Sequence, residues 1–288
     1  MTKQKIYIVA GPTASGKSAR ALDLAQQHDG VIINCDSLQI YDGLPTLTAQ
    51  PDAADLASAP HKLYAHLHPN DVTSAGNWRE LVEPLIHDVL ATGKTPIICG
   101  GTGLYIKALT QGLSPIPDVP DAVREQVVQR YQEMGPHEFY AELQRRDPEM
   151  AARFHVNHKA RIIRAMEVLE ATGQSLAQWQ KSKRARPPDD WRFVTEIIMP
   201  VREELYRRCN TRFEAMIEQG ALDEVKAFAA RLDKGEVNEG VPLTKALGFD
   251  FLRRYLEGGI SLDEAIMLSQ GQTRRYAKRQ STWFRNQM

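Results

Sequence analysis

The sequence predicts an α/β protein: a P-loop-type parallel sheet flanked by helices, interrupted by an all-helical insertion domain. Three observations predict it. Short, nearly all-apolar runs at Lys5–Ala10, Val31–Cys35 and Thr95–Cys99 alternate with helical periodicity, as parallel strands covered on both faces do. The first run leads straight into Gly11-Pro-Thr-Ala-Ser-Gly-Lys-Ser18. From about Asp121 to Gln180 strand signals give way to helical spacing alone.

Each element follows from local pattern. Ala21, Leu22, Leu24 and Ala25 mark a helix over Lys17–Gln27. Leu81, Val82, Leu85, Ile86, Val89 and Leu90 mark another over Trp78–Leu90, ended by Gly93. Pro115, Pro117 and Pro120 punctuate a turn-rich boundary. Ser175-Leu-Ala-Gln178 fits a capping box, and basic, proline-bearing Lys181–Asp190 reads as loop. A strand returns at Phe193–Met199. Leu205, Cys209, Phe213, Met216 and Ile217 then share one helix face, and Ser261-Leu-Asp-Glu264 fits a capping box for the last helix. The expected organisation is a core in two parts, 1–114 and 191–288, with a helical insert at 115–190.

Composition narrows the class. At 288 residues with 42% hydrophobic and 25% charged, the chain is an ordinary globular protein rather than a disordered, collagenous or coiled-coil one. No apolar run nears the ~18 residues of a membrane span, and the N-terminus has no signal-like apolar region, so a cytoplasmic, membrane-free protein is expected. Cys35, Cys99 and Cys209 are few and scattered, against a disulfide framework or Cys-based zinc site. Net charge is zero, yet polarised. Residues 1–112 carry eight basic and ten acidic side chains, residues 159–186 seven basic and two acidic, and residues 271–288 five basic and no acidic. A polyanion would meet the later, basic segments.

Four signals carry chemistry. Residues 11–18 match G-x-x-x-x-G-K-[ST] in full, after a strand and opening a helix. Gly11, Pro12, Thr13, Ala14, Ser15, Gly16, Lys17 and Ser18 would curl around an anion at a helix N-terminus; Lys17 adds a cation, and the Ser18 hydroxyl can ligate Mg²⁺. The motif reports an oxygen-rich anion, not specifically a nucleoside triphosphate. Asp36-Ser-Leu-Gln39 follows the second strand, at the carboxyl end where α/β sites lie; Asp36 is a metal ligand, a general base or a turn residue. Gly100-Gly-Thr102-Gly-Leu-Tyr105 follows the third strand, its glycines allowing close approach to a ligand. Arg274, Arg275, Lys278 and Arg279, with Trp283 and Phe284, form a basic, aromatic stretch suited to nucleic acid or to a solvated face. Arg161 and Arg164 repeat the theme in the insert, and Arg202, just after the Phe193–Met199 strand, is expected to reach the phosphate site. His61, His66 and His68 show no metal spacing and read as loop residues.

At these residues the chain resembles the bacterial tRNA dimethylallyltransferase family. The matching pieces are Gly11–Ser18, Asp36-Ser-Leu-Gln-Ile-Tyr41, Gly100–Tyr105, Arg161-Ile-Ile-Arg-Ala-Met-Glu-Val168, Arg202-Glu-Glu-Leu-Tyr206 and Arg279-Gln-Ser-Thr-Trp-Phe-Arg285, in family order over almost the whole chain. The resemblance implies transfer of a dimethylallyl group from its diphosphate to N6 of the adenosine 3′-adjacent to the anticodon in tRNA, assisted by Mg²⁺. It implies that the P-loop holds the leaving pyrophosphate, with Thr13 and Lys17 on the diphosphate and Ser18 near the metal. Arg202 would stabilise leaving-group charge, Asp36 would take a proton from the amine, and Thr102 would place that base or the adenine. The tRNA side would comprise Asp36, Ser37, Leu38, Gln39, Thr102, Arg124, Arg161, Arg164, Arg274, Arg275, Lys278, Arg279 and Trp283. The adenine would be flipped out of the anticodon loop. A monomer is expected. One departure stands out: Ala160 occupies a position where the family usually has Gln.

Three rivals remain at this level. An adenylate isopentenyltransferase would modify free nucleotide, a small-molecule kinase would use the loop for ATP, and a non-enzymatic module would bind RNA without turnover.

Overall fold

The computed structural model of the chain describes residues 3–182 and 184–288; Met1, Thr2 and Lys183, which entered the sequence reading, lie outside them. In chain order the first elements are β1 (Gln4–Ala10), α1 (Lys17–His28), β2 (Gly30–Asn34), α2 (Pro45–Thr48), α3 (Ala53–Ser58), β3 (His61–Lys62), α4 (Ala75–Ala91), β4 (Thr95–Gly100) and α5 (Gly103–Gln111). Helices α6 (Asp121–Arg146), α7 (Pro148–Ala151), α8 (Lys159–Thr172) and α9 (Leu176–Lys181) follow, then β5 (Trp191–Ile197), α10 (Arg202–Glu218), α11 (Ala221–Asp233), α12 (Phe249–Leu256) and α13 (Leu262–Gln287). The contacts divide the chain into two compact units, one of Met1–Thr110 with Pro188–Met288, the other of Gln111–Pro187.

The first unit holds a five-stranded sheet in the order β3-β2-β4-β1-β5, every pairing parallel. Ile6, Ile8, Val9 and Ala10 of β1, and Ile97 and Ile98 of β4, are fully buried, which is why these strands read as continuous apolar runs. β5 lies at an edge and is mostly half-exposed. Because β4 inserts between β1 and β2, the carboxyl ends of all three emerge side by side, at a crevice of the kind that holds ligands in open α/β sheets. The fit there is tight: a Cβ on Gly100 would lie 2.1 Å from the Cys35 carbonyl oxygen, so only glycine lets the two strand ends meet.

Segment 45–62 holds more structure than its sequence signals. α2, α3 and β3 are four, six and two residues long, too short for periodicity to register. His61 accordingly lies in an edge strand rather than a loop. Asp52 and Asp55 form a reciprocal capping box at α3, which the sequence reading overlooked. In α13 the Ser261 hydroxyl accepts from the Glu264 N–H at 3.2 Å, as the capping pattern predicts. At α9 the Ser175 hydroxyl accepts from Ala177 instead of Gln178, so the predicted box is replaced by a tighter turn.

The second unit is helical among its described residues, with an isolated antiparallel bridge between Leu113 and Ala185. Its own core gathers Phe139, Leu143, Met150, Ile162, Met166 and Val168. α6 breaks at Gly135, which sits at φ +77° ahead of Pro136. Arg130 and Arg146 both bond Glu170. Burial alone would raise that carboxyl's pKa; the two arginines reverse the effect and hold it below the usual glutamate value.

Candidate active site at the carboxyl ends of the strands

The loop after β1 runs through Gly16, at a left-handed φ of +95°, into the N-terminus of α1. No side chain caps α1, so its first N–H groups are left for a ligand. Ala14 adopts a left-handed φ of +61°, strain of the sort stored at binding loops. The Ser15 hydroxyl is buried with no hydrogen-bond partner. Among the described residues, the Lys17 ammonium donates only to the Pro12 carbonyl, at 3.5 Å. Its pKa is lowered by burial, with Arg212 adding to the fall and Cys99 and Asp36 opposing it.

Helix α10 supplies two further cations, and not the one expected. Arg208 donates to the Ser15 carbonyl at 3.1 Å, and Arg212 donates to the Thr13 hydroxyl. Burial pulls the Arg212 pKa down, and Cys209 and Asp36 oppose that shift. Neither Lys17 nor Arg212 has an ion-pair partner among the described residues. Arg202, at the exposed start of the same helix, borders a separate cavity with Lys278 and Arg285. Ten residues of helix carry the chain roughly 15 Å, so Arg202 and Arg212 lie at different places. Arg208 and Arg212 went unnoticed in sequence because cations beside an apolar stripe look like a solvated helix edge. Their i, i+4 spacing next to Leu205 and Cys209 was the available signal.

Asp36 sits just past β2 with its carboxylate in a turn: Oδ1 accepts from Leu38 at 2.9 Å and Gln39 at 3.4 Å, while Oδ2 accepts no hydrogen bond among the described residues. The turn role therefore occupies one carboxylate oxygen, Oδ1. Thr102 ties this loop to the one after β4. Its hydroxyl accepts from the Ser37 N–H at 3.0 Å, and its N–H donates to the Cys35 carbonyl at 3.2 Å. The Gln39 amide donates to the Thr48 and Ala49 carbonyls, at 2.9 and 2.6 Å, and so anchors the segment after α2. Leu38 is half-buried beside it.

Helix α13 closes the site from the other side. Gln280, which sequence reading passed over within the Arg279–Arg285 piece, accepts from the Thr13 N–H at 2.8 Å and donates to the Gly101 carbonyl at 3.0 Å. Beside it a cleft of about 270 Å³ is lined by Ser37, Thr102, Tyr276, Arg279 and Trp283. The Trp283 ring covers Gly103 so closely that a Cβ there would lie 2.1 Å away. The Arg279 guanidinium lies 5.4 Å from the Tyr276 ring centre, and burial pushes the Tyr276 pKa up to about 12. Arg275, Lys278 and Arg279 are exposed, whereas Arg274 is half-buried and donates to Asn210 at 2.6 Å. The predicted basic stretch is thus split between a solvent face and a helix contact.

The remaining predicted residues lie in the second unit. Arg161 is exposed, Arg164 pairs with Glu167 at 3.1 Å, and Arg124 lies 3.5 Å from Asp121. Ala160 is exposed on the first turn of α8.

Comparison with known proteins bears on this site. A family model described as IPP transferase matches residues 39–287. A tRNA dimethylallyltransferase of Rhodospirillum centenum is 44% identical over 283 residues, 98% of this chain and 89% of the relative. The crystal structure of a full-length tRNA isopentenylpyrophosphate transferase from Bacillus halodurans matches at TM-score 0.66 and 31% identity, covering 99% of this chain and 88% of that one. A structure of a eukaryotic dimethylallyltransferase acting on tRNA matches at TM-score 0.82 and 25% identity, covering 98% of this chain and 70% of that one.

Proposed function

The chain belongs to the IPP transferase family, and we propose on that footing that it transfers a dimethylallyl group from dimethylallyl diphosphate to N6 of the adenosine 3′-adjacent to the anticodon in tRNA. One observation carries the reading at the level of chemistry: two cations without carboxylate partners, Lys17 and Arg212, border the glycine loop, and the charge of Asp36 acts on both. Uncompensated buried charge is costly, so this arrangement calls for an anion at the loop with an acceptor of protons close by.

The residues then take these parts. Gly11–Ser18 receive the diphosphate through backbone N–H groups, Lys17 and Arg212 balance its charge, and the Ser15 hydroxyl gains a partner. The adenine amine attacks C1 of the prenyl group. The C1–O bond breaks, its electron pair leaves with pyrophosphate, and the N6 proton passes to Asp36 Oδ2. Charge building on the leaving oxygen is met by donors already in place, the most effective form of electrostatic catalysis. Arg212 takes the leaving-group role in this reading, and Arg202 joins Lys278 and Arg285 as phosphate-backbone contacts. Trp283, Tyr276 and Arg279 offer flat surfaces for an unstacked base.

Mg²⁺ belongs to the proposal as a companion of the diphosphate. No group of three or more His, Cys, Asp or Glu side chains that could hold a metal exists among the described residues. The Ser18 hydroxyl is exposed at the loop's end, and with diphosphate oxygens it makes a hard, all-oxygen donor set of the kind Mg²⁺ accepts while retaining water. When bound, the ion would neutralise charge on the leaving group. The chain is taken to work as a monomer, and no described helix is long and apolar enough to cross a membrane.

Incubation with dimethylallyl diphosphate, Mg²⁺ and unmodified tRNA, followed by mass spectrometry of the nucleosides, tests the function. Prenylated adenosine at the position after the anticodon is expected. Transfer to AMP but not tRNA, or phosphate transfer from ATP with no prenyl transfer, would replace it with one of the rivals.

A further inference from the structure

We propose that Asn34 is a positioning residue for the proton-accepting carboxylate of Asp36. Asn34 is the last residue of β2 and is fully buried. Its side chain grips Asp36 from both sides. Oδ1 accepts from the Asp36 N–H at 2.9 Å, and Nδ2 donates to the Asp36 carbonyl at 3.1 Å. The same Nδ2 donates to the Leu63 carbonyl at 3.0 Å. One N–H and two carbonyls surround the amide, so its orientation is set by chemistry: a flipped amide would face each partner with the wrong group. The Asn34 carbonyl in turn accepts from the Trp78 indole at 3.0 Å, which locks the clamp to α4.

The second partner matters. Leu63 and Ala65 both hold positive φ, +61° and +45°, and the Tyr64 between them borders the cavity that reaches Ser18 and Cys99. Strain of this kind persists only where neighbours over-determine it, and Asn34 is one such neighbour. A single buried amide therefore fixes two loops of the site. With Asp36 Oδ1 committed to the Leu38 and Gln39 N–H groups, fixing the Asp36 peptide also fixes the direction of Oδ2. A hydrophobic residue at 34 would satisfy the sheet equally well and leave three backbone groups without partners.

The proposal rests on the reading of Asp36 as the base, and a double-mutant cycle separates the two. Single-turnover transfer, with donor and tRNA saturating, is compared among wild type, Asn34→Ala, Asp36→Asn and the double variant. Asn34→Ala is expected to slow transfer on the order of 10²-fold when Asp36 is present. It should cost less than about three-fold in the Asp36→Asn background, because residues acting as a unit are not additive. Affinity for tRNA and for pyrophosphate should stay within about two-fold of wild type. Equal slowing in both backgrounds, loss of either affinity, or no slowing at all overturns the proposal. If Asp36→Asn itself transfers at the wild-type rate, the base reading falls and the positioning role with it. Asn34→Ser, read by the same cycle, replaces the alanine variant if that does not fold.

Discussion

The Gln280 side chain accepts from the Thr13 N–H at 2.8 Å and donates to the Gly101 carbonyl at 3.0 Å, so one amide from the last helix couples the glycine loop after β1 to the loop after β4. Gln280 is buried, and both partners are backbone groups that water cannot easily serve in its place. Gln280→Ala is expected to weaken pyrophosphate binding about ten-fold, in line with ~1–3 kcal/mol for orphaned buried groups. Isothermal titration with pyrophosphate reads this directly; unchanged affinity would show that the loop holds its shape without the amide.

Arg212 should matter more than Arg202 for the chemical step. Arg212→Met removes a half-buried donor on Thr13, and a fall in transfer rate of about 10²-fold is expected, the usual cost of losing one charge-stabilising donor. Arg202→Met should leave single-turnover transfer at saturating tRNA nearly intact. The reverse ranking would return the leaving-group role to Arg202.

Asp36→Ala should nearly abolish transfer while leaving tRNA affinity close to wild type. A filter-binding or anisotropy titration beside the transfer assay checks it. Loss of both together would mean that the turn held by Oδ1 supports the RNA site, and that its structural part outweighs its chemistry.

The exposed cations of α13 should govern salt dependence. Replacing Arg275, Lys278 and Arg279 by glutamine is expected to flatten the slope of log K against log salt by roughly 0.7 for each phosphate no longer neutralised. Arg274→Gln should flatten it less, because that guanidinium is already engaged by Asn210. An unchanged slope in the triple variant would remove this helix from the RNA interface.

Acid should loosen the helical unit through Glu170. Its pKa in the folded chain lies below the ordinary glutamate value, so its stabilising effect is present above that ordinary value and is lost as pH falls through the folded one. Melting temperatures of wild type and Glu170→Gln should therefore differ at neutral pH and converge in acid. A constant gap across that range would exclude the carboxylate as the cause.

Much of this architecture was written in local pattern. The three apolar runs became β1, β2 and β4 because strands buried on both faces leave no room for polar alternation, and the loop at 11–18 is readable from its own glycines and the helix behind it. The placement of Asp36 and Thr102 was legible because they closely follow strands, where the chain must turn at the crevice. Short elements such as α3 and β3 were not, since two to six residues cannot display a period. That Arg212 rather than Arg202 bonds the loop was not readable, because sequence proximity to a strand end says nothing about direction.

By itself, then, the sequence determined the layered α/β core, the glycine loop and the family to which the chain belongs, all of which follow from contiguous residues. Tertiary structure alone decided that Arg208, Arg212 and Gln280 meet the loop, that Asn34 clamps Asp36, and that Arg274 turns inward while its neighbours face solvent. Those assignments depend on side chains from distant segments coming within hydrogen-bond reach, and a partner brought close by packing leaves no periodic trace along the chain.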